Sequence, residues 1–254
     1  MKSGDTEPAR AAPWAQTASG KALPLGRAIE PGQLDIRRDV AIPLGNTGRF
    51  ANQMPSGVLY PVAQHCCIGA DELLKQHNDH SLALAFLVHE AHEGPLGDWT
   101  EPVMAAMQAE LDAMRLEAGA GLVPRLSIKR VKERLADPID RYVHAEAGLP
   151  WPLPRHMREL VHAMDRRMLR TERDHLLSHP PRAWDEGIER LQPLNLRHRI
   201  KPMKPAMASE NWILRFDQWS ARIHAERAAG QTSLLDLADR IRDAAGASEV
   251  AFTK

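Results

Sequence analysis

Apolar residues fall into a helical period at Val62, and Val62, Cys66, Ile68 and Leu73 share one face until Lys75-Gln76-His77-Asn78 breaks the pattern. A second helix is predicted over Ser81 to Glu93. Its first half is apolar nearly all round, as a central buried helix would be, and Gly94-Pro95 is a stop signal. Thr100 is placed to cap a third helix reaching Leu116, with Val103, Met107, Leu111 and Met114 as its inner stripe and Gly119 and Gly121 after its end. Ser127 to Glu146 reads as one helix bent at Pro138 or as two short ones, because proline removes a backbone donor. Arg155 to Leu177 is amphipathic, with Met157, Leu160, Val161, Met164, Met168 and Leu169 inward and Asp165 beside that stripe. Two further helices are predicted near the end. Ser209 to Ala229 carries Trp212, Ile213, Phe216, Trp219 and Ile223, and Ser233-Leu-Leu-Asp236 resembles a capping box opening a helix that ends near Gly246. No period-2 run or internal repeat occurs, so the fold class expected is all-α.

Outside these periods the chain divides simply. Residues 1–33 mix Pro, Gly, Ala and Ser without apolar order, a composition that predicts a mobile arm. Residues 34–60 are rich in turn signals (Gly45-Asn46, Pro55-Ser56-Gly57) and predict an ordered loop region with one short helix. The helical domain is thus expected over 34–180, with a linker and helical extension over 181–254. The Trp/Phe stripe of that extension recurs at helical spacing, which makes it core or a surface that a homodimer would bury.

Charge narrows the partners. Thirty-three Lys and Arg balance 33 Asp and Glu, so no excess of cations favours bulk nucleic acid. The longest apolar run, Ser81 to Val88, is far short of the ~20 residues that cross a bilayer. The first residues carry acids and prolines where a secretory signal needs an apolar segment. The two cysteines, Cys66 and Cys67, are neighbours, which suits two small buried thiols better than a disulfide. A cytoplasmic protein without a membrane partner is therefore expected.

The residues that carry chemistry are His65, the pair His89-Glu90, and Asp165, each on a predicted helix facing the core. Imidazole and carboxylate suit divalent cations, and few protein ligands leave positions for water and a phosphate oxygen. Helical spacing sets Glu93 three residues beyond Glu90, as an acid/base candidate beside such an ion. Each has a plainer alternative: a lone core histidine satisfied by hydrogen bonds, or a carboxylate paired with Arg166, Arg167 or Arg170.

Taken in order, four segments resemble the HD-domain metal-dependent phosphohydrolases, in particular the branch of 5'-deoxynucleotidases and phage-type deoxyadenylate triphosphohydrolases. They are Asp35-Ile36 with Arg49-Phe50; Tyr60-Pro-Val-Ala-Gln-His65; His89-Glu90-Ala-His-Glu93-Gly-Pro-Leu-Gly97-Asp98; and Met164-Asp165 continuing to Thr171-Glu172-Arg173-Asp174. The resemblance spans roughly residues 33–180 and implies a helical bundle in which His65, His89, Glu90 and Asp165 hold a divalent ion. The ion could be Mn, Co, Zn, Fe or Mg. It also implies that Glu93 orients or deprotonates the attacking water, that Arg49 meets a phosphate oxygen, and that Asp98 lies near the sugar. Trp99 is the aromatic best placed beside a base. The function implied is hydrolysis of a nucleotide, a deoxynucleoside mono- or triphosphate.

This sequence departs from the family at two points. Glu90 stands where the family has aspartate, and Met104 stands where related sequences carry lysine. The first departure supports a second expectation, a protein of this fold that binds a nucleotide or a protein partner without turnover. His92 is not a family ligand position and is expected at the surface or behind a ligand. The basic stretch Arg197 to Lys204 reads as a solvated connector.

Overall fold

A computed structural model describes residues 13–119 and 124–250, with backbone alone from residue 230 onward. Among the described residues the architecture is all-α apart from one small hairpin, β1 (Trp14–Gln16) paired antiparallel with β2 (Ala22–Pro24). A π-helical turn at Ile36–Ala41 runs into α1 (Ile42–Asn46). There follow α2 (Val62–His77), α3 (His80–Leu87), α4 (Glu93–Leu96), α5 (Glu101–Glu117), α6 (Ile128–Glu146), α7 (Arg155–Leu176), α8 (Glu186–Glu189) and α9 (Pro205–Val250).

Helices α2 and α3 form the centre. Asn78 closes α2 in the left-handed region at φ 50°, and the Asp79 side chain opens α3 by accepting from the Leu82 N–H at 3.0 Å. The two helices come close because Gly69 has no side chain. A Cβ there would lie 2.1 Å from the Phe86 ring. Around this pair pack α1, α7 and α9. Every residue of α3 from Leu82 to Leu87 is buried, as its all-round apolar sequence requires.

Four expectations are corrected by the packing. Residues 13–33 are not an arm: Leu23 of the hairpin is fully buried in the main core, and Ser19 gives both its backbone N–H and its hydroxyl to Asp39 at 2.7 Å. Two short strands held by one buried leucine leave no period in the sequence. Residues 1–12 and Gly121 lie outside the described residues.

The helix expected over Ser81 to Glu93 stops at Leu87, because side chains take its last carbonyls. His89 Nδ1 donates to the Phe86 carbonyl at 2.6 Å and Trp212 Nε1 donates to the Leu87 carbonyl at 2.8 Å, oxygens that an α-helix would offer to residues 90 and 91. The chain continues through tight turns, with the Glu93 N–H on the Glu90 carbonyl at 2.9 Å.

The stripe of α5 does not reach the core. Val103, Met107 and Met114 are exposed, and among the described residues α5 packs mainly along α6. Finally, α9 is one helix from Pro205 to Val250 with no new start at Ser233. Its Trp212, Ile213, Phe216, Trp219 and Ile223 belong to the same core as α2 and α3, so this stripe is not a dimer surface and the core runs past residue 180. Pro138 sits inside the single helix α6, which Ser127 caps by accepting from the Arg130 N–H. Cys66 and Cys67 are free and buried.

Candidate metal centre

Three elements deliver the expected ligands to one place. His65 comes from the first turn of α2, His89 and Glu90 from the turn after α3, and Asp165 from the middle of α7. Asp165 Oδ1 lies 3.3 Å from His65 Nε2 and 3.7 Å from His89 Nε2, and Glu90 Oε1 lies 3.5 Å from the same His89 nitrogen. Atoms bound at about 2.0–2.2 Å to a common ion stand at separations of this order from one another.

Hydrogen bonds fix which way each ring faces. A carbonyl only accepts, so the bond from His89 to Phe86 places the proton on Nδ1. His65 Nδ1 likewise donates to Glu172 Oε1 at 2.6 Å. Both Nε2 atoms are buried and have no hydrogen-bond partner, yet they face carboxylate oxygens. Two lone pairs opposed by an anion are unfavourable unless positive charge sits between them. Imidazoles held by a second partner behind Nδ1 are how proteins present Nε2 to a metal, so these residues fit a divalent cation.

Electrostatics report the same demand. Burial would lower the His89 pKa, but Glu90 and then Asp165 outweigh it and push it up to about 9. Burial would raise Asp165, and the His65 and His89 rings that face it outweigh burial and hold it well below the usual carboxylate range. Glu93, 2% exposed, is pushed up to about 8 by burial and then by Glu90 and Asp98. Its Oε1 meets Lys132 Nζ at 3.4 Å, and its Oε2 has no partner.

Behind the ligands lies a residue whose role the sequence did not reveal. Glu172 is fully buried and accepts from Tyr60 Oη at 2.8 Å, His65 Nδ1 at 2.6 Å and Arg49 Nε at 3.1 Å. The charge of Arg49 is in turn reinforced by Glu172, Asp165, Glu90 and Glu93, against the cost of burial. The signal for Glu172 was its place seven residues, or two turns, beyond Asp165, which sets both on one face of α7. Of the two places expected for His92, the surface or behind a ligand, it takes the second and is buried. Its Nδ1 meets Asp140 Oδ1 at 3.1 Å and its Nε2 faces Glu90 Oε2 at 3.6 Å. Asp140 is 48 residues away on α6, a contact that no local pattern announces.

The remaining expected residues are placed less closely. Arg49 is held by its backbone N–H on the Tyr60 carbonyl at 3.0 Å, and its Nε is the nitrogen bonded to Glu172. Asp98 is half-buried with its pKa raised, by burial first, while it feels Arg49, Glu90 and Lys132. Trp99 donates its indole N–H to the Leu96 carbonyl at 3.1 Å and is not drawn into the cluster. Met104 is on the neighbouring helix α5, and Lys132 of α6 is the lysine that reaches the site.

No family model matches the chain. It is similar to an uncharacterized protein of Rhodobacter capsulatus, 27% identical over 196 residues that cover 76% of this chain and 87% of that protein. That protein's name states no activity, so function has to be argued from the site. Among the described residues no helix is long and apolar enough to cross a membrane.

Proposed function

We propose that the protein is a metal-dependent phosphohydrolase of the HD type, working in the cytoplasm on a nucleotide, a deoxynucleoside mono- or triphosphate. One observation carries the reading: the two unpartnered Nε2 atoms of His65 and His89, tautomerically fixed, facing Asp165 Oδ1. The ordered resemblance of the surrounding segments supplies the reaction class.

A divalent ion held by His65, His89, Glu90 and Asp165 would supply an acidified water and a Lewis acid for a phosphoryl oxygen. The chain's own residues would do the rest. Arg49, tied to Glu172 through Nε, keeps the outer guanidinium nitrogens for a phosphate oxygen. Glu93 takes the proton of the attacking water. A carboxyl held near neutrality by burial and by Glu90 is suited to accepting and returning a proton. Lys132 holds the Glu93 carboxylate and adds positive charge beside it. Asp98 would meet the sugar, as the family resemblance implies.

The test is metal content by elemental analysis together with phosphate release from a panel of deoxynucleotides, with and without Mn²⁺ or Co²⁺. Bound metal and turnover of one substrate class are expected, both lost in His89→Ala and Asp165→Ala, with turnover lost to chelator. Full turnover by metal-stripped protein would refute the reading. Bound metal with no turnover of any nucleotide would instead leave a binding protein.

A further inference from the structure

Helix α5 runs for 17 residues without burying one of them. A helix of this length is marginal by itself in water, and helices in folded proteins owe most of their stability to a covered apolar face. The face is there. Val103, Met107 and Met114 lie at helical spacing and are 50%, 40% and 62% exposed. With Ala106 and Leu111 of the same helix and Ile128 of α6 they line a groove of about 620 Å³. Gln108 joins the two helices, its Nε2 donating to the Leu126 carbonyl at 3.1 Å and its Oε1 accepting from the Ile128 N–H at 2.9 Å. The open side of α5 and the start of α6 are therefore one surface.

Charge on that surface is sorted by helix. Glu110 and Glu117 are exposed and two turns apart, on the face of α5 that carries Val103 and Met114. Arg130 and Arg134 are exposed and one turn apart on α6, beside Val131, which is 44% exposed. Among the described residues the salt bridges of these two helices are made by Asp112, Lys132 and the pair Asp137–Arg141, and none by these four. An acidic bank and a basic bank with an apolar floor form a self-complementary pattern. Turned about a two-fold axis, the acidic bank of one copy meets the basic bank of the other, and both floors are covered. A bilayer of anionic lipid would attract the arginines but repel Glu110 and Glu117.

We propose that the α5–α6 face is the interface of a homodimer, in which α5 of each copy lies along α6 of the other. This gives the stripe of α5 a cover that the described part of its own chain does not provide. The pairing does not depend on the metal-centre reading, although Lys132, which meets Glu93, stands on the same part of α6.

The experiment is sedimentation velocity of the full chain over a micromolar concentration series, with two charge-reversed chains. One carries Glu110→Lys and Glu117→Lys, so that both banks are basic; the other carries Arg130→Glu and Arg134→Glu, so that both are acidic. Wild type should reach twice its chain mass of 28.3 kDa. Met107→Glu, a charge on the floor, should weaken the dimer about 30-fold or more. Each charge-reversed chain alone should sediment as a monomer, and an equal mixture of the two should form a heterodimer, because a basic bank then meets an acidic one at both contacts. Far-UV circular dichroism establishes that each variant is folded, and the mixing result supplies the test should Met107→Glu fail to fold. A wild-type monomer at every concentration would overturn the proposal, and its flotation with anionic vesicles would assign the face to a membrane instead. A dimer that Met107→Glu leaves intact would also overturn it, as would reversed chains that dimerise alone or stay monomeric when mixed.

Discussion

Replacing Glu172 with glutamine tests whether the buried residue behind His65 organises the centre. The substitution keeps the shape and removes the charge. Three donors converge on the two carboxylate oxygens, Tyr60 Oη and His65 Nδ1 on Oε1 and Arg49 Nε on Oε2. A glutamine has one oxygen, so its NH₂ must face a donor, either Arg49 or the Tyr60/His65 pair. Arg49 also loses its nearest counter-charge while its side chain is only 11% exposed. Breaking a buried ion pair by removing one partner costs about 3–5 kcal/mol. At about 2–4 °C per kcal/mol for a chain of this size, the melting temperature should fall by roughly 10 °C. His65 loses the partner that fixes its tautomer, so Mn²⁺ affinity should drop about 10- to 100-fold. Thermal melts followed by circular dichroism give the first number and calorimetric titration the second. Tyr60→Phe, which removes one neutral donor, is the comparison and should cost about 1 kcal/mol. A Glu172→Gln melting temperature within about 2 °C of wild type, with unchanged Mn²⁺ affinity, would refute the argument, since roughly 2–4 °C is what a single kcal/mol produces.

Two further outcomes are expected. Gly69→Ala places a Cβ 2.1 Å from the Phe86 ring, an overpacking that should destabilise by about 1–3 kcal/mol and, by moving the Phe86 carbonyl that holds His89, weaken Mn²⁺ binding; a melt and a titration equal to wild type would contradict it. Ser19→Ala removes a 2.7 Å bond to Asp39, whose pKa burial alone would raise but which the Ser19 hydroxyl and then the Asp35 and Ser19 backbone N–H groups hold below its usual value. A carboxyl depressed in the folded state contributes stability that is full above its unfolded pKa of about 3.9 and lost as pH falls through the lower folded one. Ser19→Ala should therefore cost about 1–2 kcal/mol at pH 7 in urea unfolding, with the difference shrinking below about pH 4; a difference constant from pH 7 to pH 3 would show that Asp39 is not the partner that matters.

Helical periods made α2, α5, α6 and α7 legible to within a residue or two, because each repeats its apolar face over four or more turns. Periodicity states that a face is apolar, not what covers it, so α5 was given an inward stripe that in fact lies open. The end of α3 was invisible for a different reason. Two carbonyls there are claimed by His89 and by Trp212, the latter 125 residues downstream, and no window of local sequence contains that competition. At the site, residue types and order were enough to name His65, His89, Glu90, Glu93 and Asp165. Their supporting partners were not named, because Glu172, Asp140 and Lys132 matter only through contacts that α6 and α7 make after folding.

The bond from Trp212 to the Leu87 carbonyl has a temporal side. During synthesis the chain emerges from its N-terminus, so His65, His89 and Asp165 are all exposed to the solvent before Trp212 has been added. Until the indole arrives, the Leu87 carbonyl is free to continue the helix and carry Glu90 around it, away from the turn that aims it. The nascent chain therefore holds every candidate ligand but not the geometry, and the candidate metal centre is completed only when the last helix docks. A fragment ending at residue 180 would stay at that unfinished stage, with Phe86 and Leu87 stripped of the Trp212 and Phe216 side that covers them.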